Sequence, residues 1–258
     1  MSYPGGKNRG MTSQYDGFLT LIDDRSAALR EAVAAAPDLT AQVPGCPDWA
    51  LADLVEHVGG VQRFWAVVVS SADDTGPPPR PATDFPSPTG DLVAWSAEST
   101  RLLLDALRAA GPESPAWAWW AASGAPLTAL AVARHQVQEA AVHAYDAQET
   151  IGKPEPLPAA VAVDGVAEFL SVPLASQGPW PHRPSRLAFT ATDGPTHVID
   201  LTPTGVALDP APAGAPLVTV HAPASDLVLA LYNRIPLTDL PHEGDPEPLT
   251  ELRTWIDS

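Results

Sequence analysis

The chain has 258 residues, 45% hydrophobic and 17% charged, and its 31 acidic and 14 basic residues give a formal net charge of −17. This length allows one large or two modest domains with buried cores, and the acidic balance argues against binding to nucleic acid or to anionic membrane surfaces. The single cysteine, Cys46, excludes an intramolecular disulfide and a cysteine-based zinc finger.

The N-terminal residues 1–11 are predicted to form a flexible tail. They carry charge but no apolar core follows, so they do not resemble a secretory signal. We find no run of 18 apolar residues and therefore predict no membrane span. Together with the lone cysteine, these features predict a cytoplasmic protein.

Residues 12–151 are predicted to form an all-α bundle, because their apolar residues recur at helical spacing. The four predicted helices are Gln14–Ala36, about Trp49–Ser71, Asp91 to about Ala109, and about Leu127–Glu149. A rigid loop with two prolines is expected at Val43–Trp49, with Asp48 as the N-cap of the second helix. The proline-rich segment Ser71–Gly90 is expected to be non-helical.

Residues 159–258 are predicted to form a small α+β domain after a proline-rich linker at 153–158. A helix is expected at Ala159 to about Ser176. From Ser185 the apolar residues alternate with a period of two, which predicts four strands, and Asp193-Gly194 indicates a hairpin turn. Two further helices complete the domain, so the fold class predicted for the whole chain is α+β, with a helical bundle first.

The fourth predicted helix carries a stripe of ionisable residues on a nearly apolar background. His135, Glu139 and His143 are spaced i, i+4 and i+8 and therefore share one face, and Asp146 follows at i+3. Charged and imidazole groups that face an interior need partners, and a metal ion is one such partner. The residues alone leave two interpretations open, which are a metal site and a solvated stripe of i, i+4 pairs.

Two other features have both a functional and a purely structural interpretation. His57 borders the apolar face of the second helix, where a half-buried, hydrogen-bonded histidine is the simpler explanation. Trp117, Trp119 and Trp120 cluster in the connection before the fourth helix. They either line a pocket or simply pack a long connection.

Three motifs in order resemble the mycothiol-dependent maleylpyruvate isomerase family, a group within the DinB-like four-helix metal proteins. Residues 43–57, VPGCPDWALADLVEH, are similar to its first signature. Residues 134–146 are similar to its later histidine- and glutamate-bearing helix. Residues 223–237 resemble part of its sterol-carrier-like C-terminal domain. The resemblance extends from about Gln14 to Asp257.

The resemblance implies a divalent metal, usually zinc, held by His57, Glu139 and His143. It leaves His135 as a bystander or as a neighbour of a ligand. Gln138 stands where the family often has histidine, and we do not count it as a ligand. Two histidines and one glutamate leave one coordination position open, which is typical of catalytic zinc.

The resemblance also implies that mycothiol is the thiol cosubstrate. A thiol that coordinates the metal is deprotonated, because the cation stabilises the thiolate. In an isomerase reaction the thiolate adds to a cis double bond, the resulting single bond rotates, and elimination gives the trans isomer. In an S-transferase reaction it attacks a small electrophilic substrate and stays attached. Arg234 matches an arginine of the C-terminal motif and is predicted to bind a substrate carboxylate, with a surface arginine as the alternative.

Two neighbours of the predicted metal ligands have supporting roles in this interpretation. Asp146 is expected to orient a ligand histidine, and Cys46 is expected to pack rather than to act as a nucleophile. The alternative function is a non-catalytic metal-binding protein of regulation or resistance in a specialised pathway. No oligomeric state follows from the sequence.

Overall fold

The computed structural model describes residues 5–257, and the side chains of residues 10–80 and 82–257. These residues form two compact units. The first comprises the chain up to Trp119 together with Pro126–Glu155, and the second comprises Trp120–Ala125 together with the chain from Pro156 onward. The first is mainly helical and the second contains a sheet, so the predicted α+β fold class is confirmed.

The first unit is built from four long helices and one helical turn. They are α1 (Gly5–Ala35), α2 (Leu51–Ser71), α3 (Arg80–Thr83), α4 (Leu92–Ala110) and α5 (Ala129–Thr150). Helix α2 packs against α4 and α5, and α1 packs against α4 and α5. Apolar side chains such as Leu29, Leu54 and Leu103 are fully buried between them, so the burial of these apolar faces stabilises the bundle.

A buried polar network connects three of the long helices. The side-chain amide of Gln62 in α2 donates to Ser26 Oγ in α1 at 2.9 Å and accepts from Thr100 Oγ1 in α4 at 2.9 Å. The Arg30 guanidinium donates to the same threonine at 3.0 Å. Because buried polar groups are costly when unpaired, these bonds favour one arrangement of α1, α2 and α4.

The start of the chain and the α1–α2 connection differ from the sequence prediction. Helix α1 already begins at Gly5, so the predicted tail overlaps it at residues 5–11, and residues 1–4 lie outside the described part. The expected rigid loop contains a short antiparallel ribbon, β1 (Gln42–Val43) with β2 (Cys46–Ala50). Proline restricts φ to values that suit extended backbone, so the two prolines are compatible with this ribbon.

Two smaller predictions in the first unit are wrong. Asp48 lies in β2 and does not cap α2. The cap position is Ala50, whose backbone N–H donates to the Asp53 carboxylate at 2.9 Å. The segment expected to be non-helical contains the single turn α3, which has a proline in its first turn. Proline is tolerated there because the backbone N–H groups of the first turn have no acceptor within the helix.

The second unit contains a five-stranded sheet in the order β5-β4-β3-β6-β7. The strands are β3 (Ser185–Ala191), β4 (Thr196–Thr202), β5 (Gly205–Leu208), β6 (Val218–Ala222) and β7 (His242–Gly244). Strands β3 and β6 are parallel, and the other neighbours are antiparallel. The predicted Asp193-Gly194 turn joins β3 to β4, whereas β7 was not predicted.

Three helices accompany the sheet: α6 (Ala159–Ser171), α7 (Ala224–Leu231) and α8 (Glu247–Ile256). The helix predicted up to Ser176 ends at Ser171, and a 3-10 turn follows. The stretch Ala159–Ser176 is long and apolar enough to cross a membrane by length and composition, but half of it is buried in the protein. A core helix of a soluble domain meets the same criterion, so this stretch is weak evidence for a membrane span.

Candidate active site

Helices α2 and α5 bring His57, Glu139 and His143 together. Glu139 Oε1 lies 3.0 Å from His57 Nε2 and 3.5 Å from His143 Nε2. One potential ligand atom from each residue lies within 4.8 Å of the other two. Glu139 and His143 are one turn apart on α5, so the helix itself sets their spacing, and the packing of α2 on α5 supplies the third group.

The cluster has strongly coupled electrostatics. Burial alone raises the pKa of the Glu139 carboxyl, but His143 and His57 more than offset this, and its pKa lies well below the usual range. Burial alone lowers the pKa of the His143 imidazole, but Glu139 and Asp146 raise it to about 9. Without a cation, the buried carboxylate is therefore stabilised by a protonated His143.

Asp146 orients His143 from the side opposite Glu139. The carboxylate of Asp146 is fully buried, and its Oδ2 accepts a hydrogen bond of 2.8 Å from His143 Nδ1. Because a carboxylate only accepts, the Nδ1 atom carries the proton and Nε2 is the atom turned toward Glu139. The Cys46 thiol lies 3.8 Å from the same oxygen.

Trp49 covers the two histidines, a contact that sequence reasoning missed. Its ring centre is 4.5 Å from that of His57 and 6.0 Å from that of His143. The indole therefore packs against both imidazoles of the cluster. Its position inside the 43–57 motif was the only signal in the sequence.

A cavity of about 620 Å³ opens beside the cluster, and His57 and Glu139 form part of its wall. Helices α2, α4 and α5, residues 83–86 and Trp119 provide the rest of the lining. His135 also lines it, but it is outside the His57–Glu139–His143 group. Its ring instead meets Trp65 and Trp119 nearly edge-on, at centre distances of 6.3 and 5.5 Å.

The three clustered tryptophans have different positions. Trp119 lines the cavity and is 43% exposed. Trp117 meets Phe64 edge-on at 6.4 Å, and Trp120 is fully buried in the second unit. One of them therefore lines a pocket, while the others have the packing role that the sequence left open.

A second cavity of similar volume lies between α2, α4 and the α2–α4 connection, and Phe85 lines both cavities. Its wall is mostly apolar and includes Val67, Leu102 and Ala106. His57, Glu139 and His143 do not line this second cavity. The first cavity is therefore the one that adjoins the candidate site.

Two other residues singled out in the sequence lie outside the cluster. Gln138 is fully buried on α5, and its exclusion as a ligand stays a prediction. Arg234 follows α7 in the second unit, where its guanidinium donates to the Tyr232 carbonyl at 2.6 Å. Its role in catalysis stays a prediction.

Comparison with known proteins gives a consistent family assignment. A family model described as the mycothiol maleylpyruvate isomerase N-terminal domain matches residues 19–148, and one described as the C-terminal domain of the same family matches residues 160–250. A comparison with curated proteins gives no match.

Solved structures of mycothiol-dependent maleylpyruvate isomerase share the fold. A histidine-to-alanine variant of that enzyme is 16% identical, with a TM-score of 0.56, and the match covers 84% of this chain and 88% of the other. The unmutated enzyme has the same identity and coverage and a TM-score of 0.53.

Proposed function

The chain belongs to the mycothiol maleylpyruvate isomerase family, and from this premise we propose that it is a metal-dependent enzyme that uses mycothiol. The observation that carries the proposal is the convergence of His57, Glu139 and His143 at the wall of a cavity. The thiolate sulfur attacks a small electrophilic substrate held there. The products are those of a cis-trans isomerase or of an S-transferase.

The three side chains fit a divalent cation such as zinc. Bonds of about 2.0–2.1 Å in a tetrahedral site place neighbouring ligand atoms roughly 3.3 Å apart. The separations of 3.0 and 3.5 Å around Glu139 Oε1 lie on either side of that value. Two neutral imidazoles and one carboxylate also balance part of the charge of the cation and leave a position free for a thiol.

The bound cation would supply Lewis acidity that keeps a coordinated thiol deprotonated near neutral pH. The residues of the chain do the rest. Asp146 holds the Nδ1 proton of His143 and so directs its Nε2 lone pair into the site. Glu139 supplies the negative charge, and Trp49 packs against the two imidazoles and helps to fix their positions.

Arg234 has a proposed role in binding one of the reactants. Its guanidinium carries a permanent positive charge and can hold an anionic group of the electrophile or donate hydrogen bonds to oxygen atoms of mycothiol.

Metal content and turnover test the proposal together. The purified chain, offered zinc, is expected to hold about one equivalent per chain, and the zinc-loaded protein is expected to react mycothiol with an electrophile faster than the uncatalysed rate. Removing zinc with a chelator should abolish turnover, and re-adding it should restore turnover. A protein that binds zinc but never turns over mycothiol would support the non-catalytic alternative.

A further inference from the structure

The cavity beside His57 and Glu139 has an aromatic wall. Phe64 and Trp65 on α2, Trp95 on α4 and Trp119 all line it. Aromatic faces and edges bind flat conjugated groups by offset or edge-to-face contacts. The aromatic part of the lining is therefore suited to a planar conjugated group.

The charges around the cavity are unfavourable for an anion. Besides Glu139, the acidic residues Glu56 and Asp84 line it. Among the described lining residues none is lysine or arginine, and His57 and His135 are the histidines. A divalent cation bound to Glu139 and a thiolate would have no net charge left, so the half-buried Glu56 would still repel an anionic substrate, while the exposed Asp84 is screened by solvent and would add less.

Arg63 stacks on Trp95 but does not line the cavity itself. Arg63 donates from Nε to Ser99 Oγ at 2.8 Å, and its guanidinium carbon lies 5.0 Å from the centre of the Trp95 ring. It lines the neighbouring cavity instead. Its cation–π contact holds Trp95 in the wall rather than offering a charge to a ligand.

Two adjacent glycines on α2 make room for this cavity. A Cβ at Gly59 would overlap the indole of Trp95, so the missing side chain lets that ring pack directly on the helix. At Gly60 a Cβ would find no heavy atom within 4 Å. Glycine disfavours a helix interior, and at these two positions its small size provides space for an aromatic wall and for a ligand.

Gly60 lies at the centre of the face of α2 that lines the cavity. His57 precedes it by one turn, Phe64 follows it by one turn, and all three line the cavity. Because residues spaced by three and four share a helix face, a side chain at position 60 would project into the space beside His57.

We propose that this cavity is the electrophile subsite and that it accepts an aromatic substrate without negative charge, with Gly60 keeping the subsite open. This inference rests on the proposed function, because the electrophile reacts with mycothiol. It leaves the oxygen atoms of mycothiol, rather than the electrophile, as the partners of Arg234. Dicarboxylates are predicted to be poor ligands of this cavity.

The transfer step can be followed with chlorodinitrobenzene as the probe. The mycothiol sulfur forms a bond to the chlorine-bearing ring carbon, and chloride leaves with the electron pair of the broken carbon–chlorine bond. The thiol proton goes to solvent, so mycothiol and chlorodinitrobenzene give the aryl thioether and hydrochloric acid. No oxidant or reductant is consumed.

Binding tests the charge preference without turnover. Calorimetry on zinc-loaded protein saturated with mycothiol compares uncharged dinitrobenzene with anionic nitrobenzoate, neither of which carries a leaving chloride. We expect dinitrobenzene to bind at least about tenfold more tightly, because like charges repel in a partly desolvated site. Equal binding, or tighter binding of nitrobenzoate, would overturn the inference.

A pair of variants tests the location. Gly60→Leu is expected to weaken dinitrobenzene binding by at least about tenfold, since filling a cavity forces rearrangement. Gly17→Leu is the matched control, because Gly17 is an exposed glycine of α1 with no heavy atom near a built Cβ. Wild-type affinity in a folded Gly60→Leu protein would refute the assignment.

Trp119→Ala provides an independent test if thermal unfolding shows that Gly60→Leu does not fold. The Trp119 side chain lies at the partly exposed edge of the cavity, so its removal leaves the core intact. We expect dinitrobenzene affinity to fall about threefold to tenfold, as for the loss of one aromatic contact. An unchanged affinity would count against the subsite.

Turnover separates failure of this inference from failure of the proposed function. If dinitrobenzene binds and Gly60→Leu blocks it, but chlorodinitrobenzene is not consumed with mycothiol, the subsite stands and the proposed reaction fails. For each probe, the catalysed rate is divided by the uncatalysed rate. If this ratio is the same for chloronitrobenzoate and chlorodinitrobenzene, the proposed reaction stands and the charge preference fails.

Discussion

His57 Nε2 lies 3.0 Å from Glu139 Oε1, although 82 residues separate them in the sequence. The contact joins α2 to the centre of α5 and places both groups at the wall of the same cavity. Together with the Cys46–Asp146 and Trp49–His143 contacts, it links the two signature motifs. The contact brings together two of the three proposed metal ligands.

Replacing His57 by alanine is predicted to remove the metal and nearly all activity. The variant keeps only two of the three ligands, and its neighbours on α2 still pack. His135→Ala is the matched control for metal content, because His135 lies beside the site without belonging to the ligand group. Elemental analysis checks both variants and turnover is measured on His57→Ala. A His57→Ala protein with full metal would exclude His57 as a ligand.

Metal binding is predicted to strengthen as the pH rises. The pKa of His143 is raised to about 9 in the folded, metal-free protein, whereas coordination requires the neutral imidazole. Below that pH, binding must displace one proton, so apparent affinity should increase by up to about tenfold per pH unit and level off near pH 9. Zinc titrations from pH 6 to 10 measure the slope, and a flat profile over that range would contradict it.

The free energy of unfolding of the metal-free protein is predicted to decrease as the pH rises. A histidine whose pKa is raised by folding contributes stability that is fully present below its unfolded pKa and is lost as the pH rises through its folded pKa. For His143 this window extends from the ordinary histidine pKa of 6.5 to the raised pKa of about 9. Chemical denaturation of metal-free protein should show a decreasing free energy of unfolding across it, and His143→Gln should remove most of that decrease.

Replacing Asp146 by asparagine is predicted to lower metal affinity about tenfold to a hundredfold, as for other residues that orient ligand histidines. The carboxamide keeps the size of the side chain but can turn its NH₂ group toward His143 Nδ1. Competition with a chelator of known affinity measures the change. An unchanged affinity would show that the 2.8 Å contact has no influence on the metal site.

Arg234→Ala is predicted to lower kcat/KM about tenfold to a hundredfold, the loss expected when one charge-assisted contact is removed. If the electrophile is uncharged, the change should appear in the KM for mycothiol and leave the KM for chlorodinitrobenzene unaltered. Steady-state kinetics with each reactant varied in turn measures this division. Wild-type kinetics with full metal would leave the second unit as scaffold only.

The sequence predicted the parts of the site that depend on a single helix. Glu139, His143 and Asp146 share one face of α5 because of the helical repeat. His57 required the family motif, since no local pattern indicates which residue of α2 meets Glu139. The cavity was not predicted, because Trp95 and Gly60 come from different helices and their proximity depends on packing.

The fold shows the same dependence on local pattern. The strands β3 to β6 alternate in polarity and were predicted, as was the Asp193-Gly194 turn. Strand β7 has three residues, His242–Gly244, without an apolar member, and it exists because its backbone pairs with β6. The two-residue strand β1 was missed for the same reason: strands this short are set by tertiary pairing and not by side-chain period.

The most direct test of the central claim is to observe the sulfur of mycothiol on a metal held by His57, Glu139 and His143. Cobalt-substituted protein is titrated with mycothiol and its near-ultraviolet absorption is recorded. We predict that a sulfur-to-cobalt charge-transfer band grows to saturation at one mycothiol per cobalt and is lost in His57→Ala. A cobalt-loaded wild-type protein whose spectrum does not change with mycothiol would contradict the account.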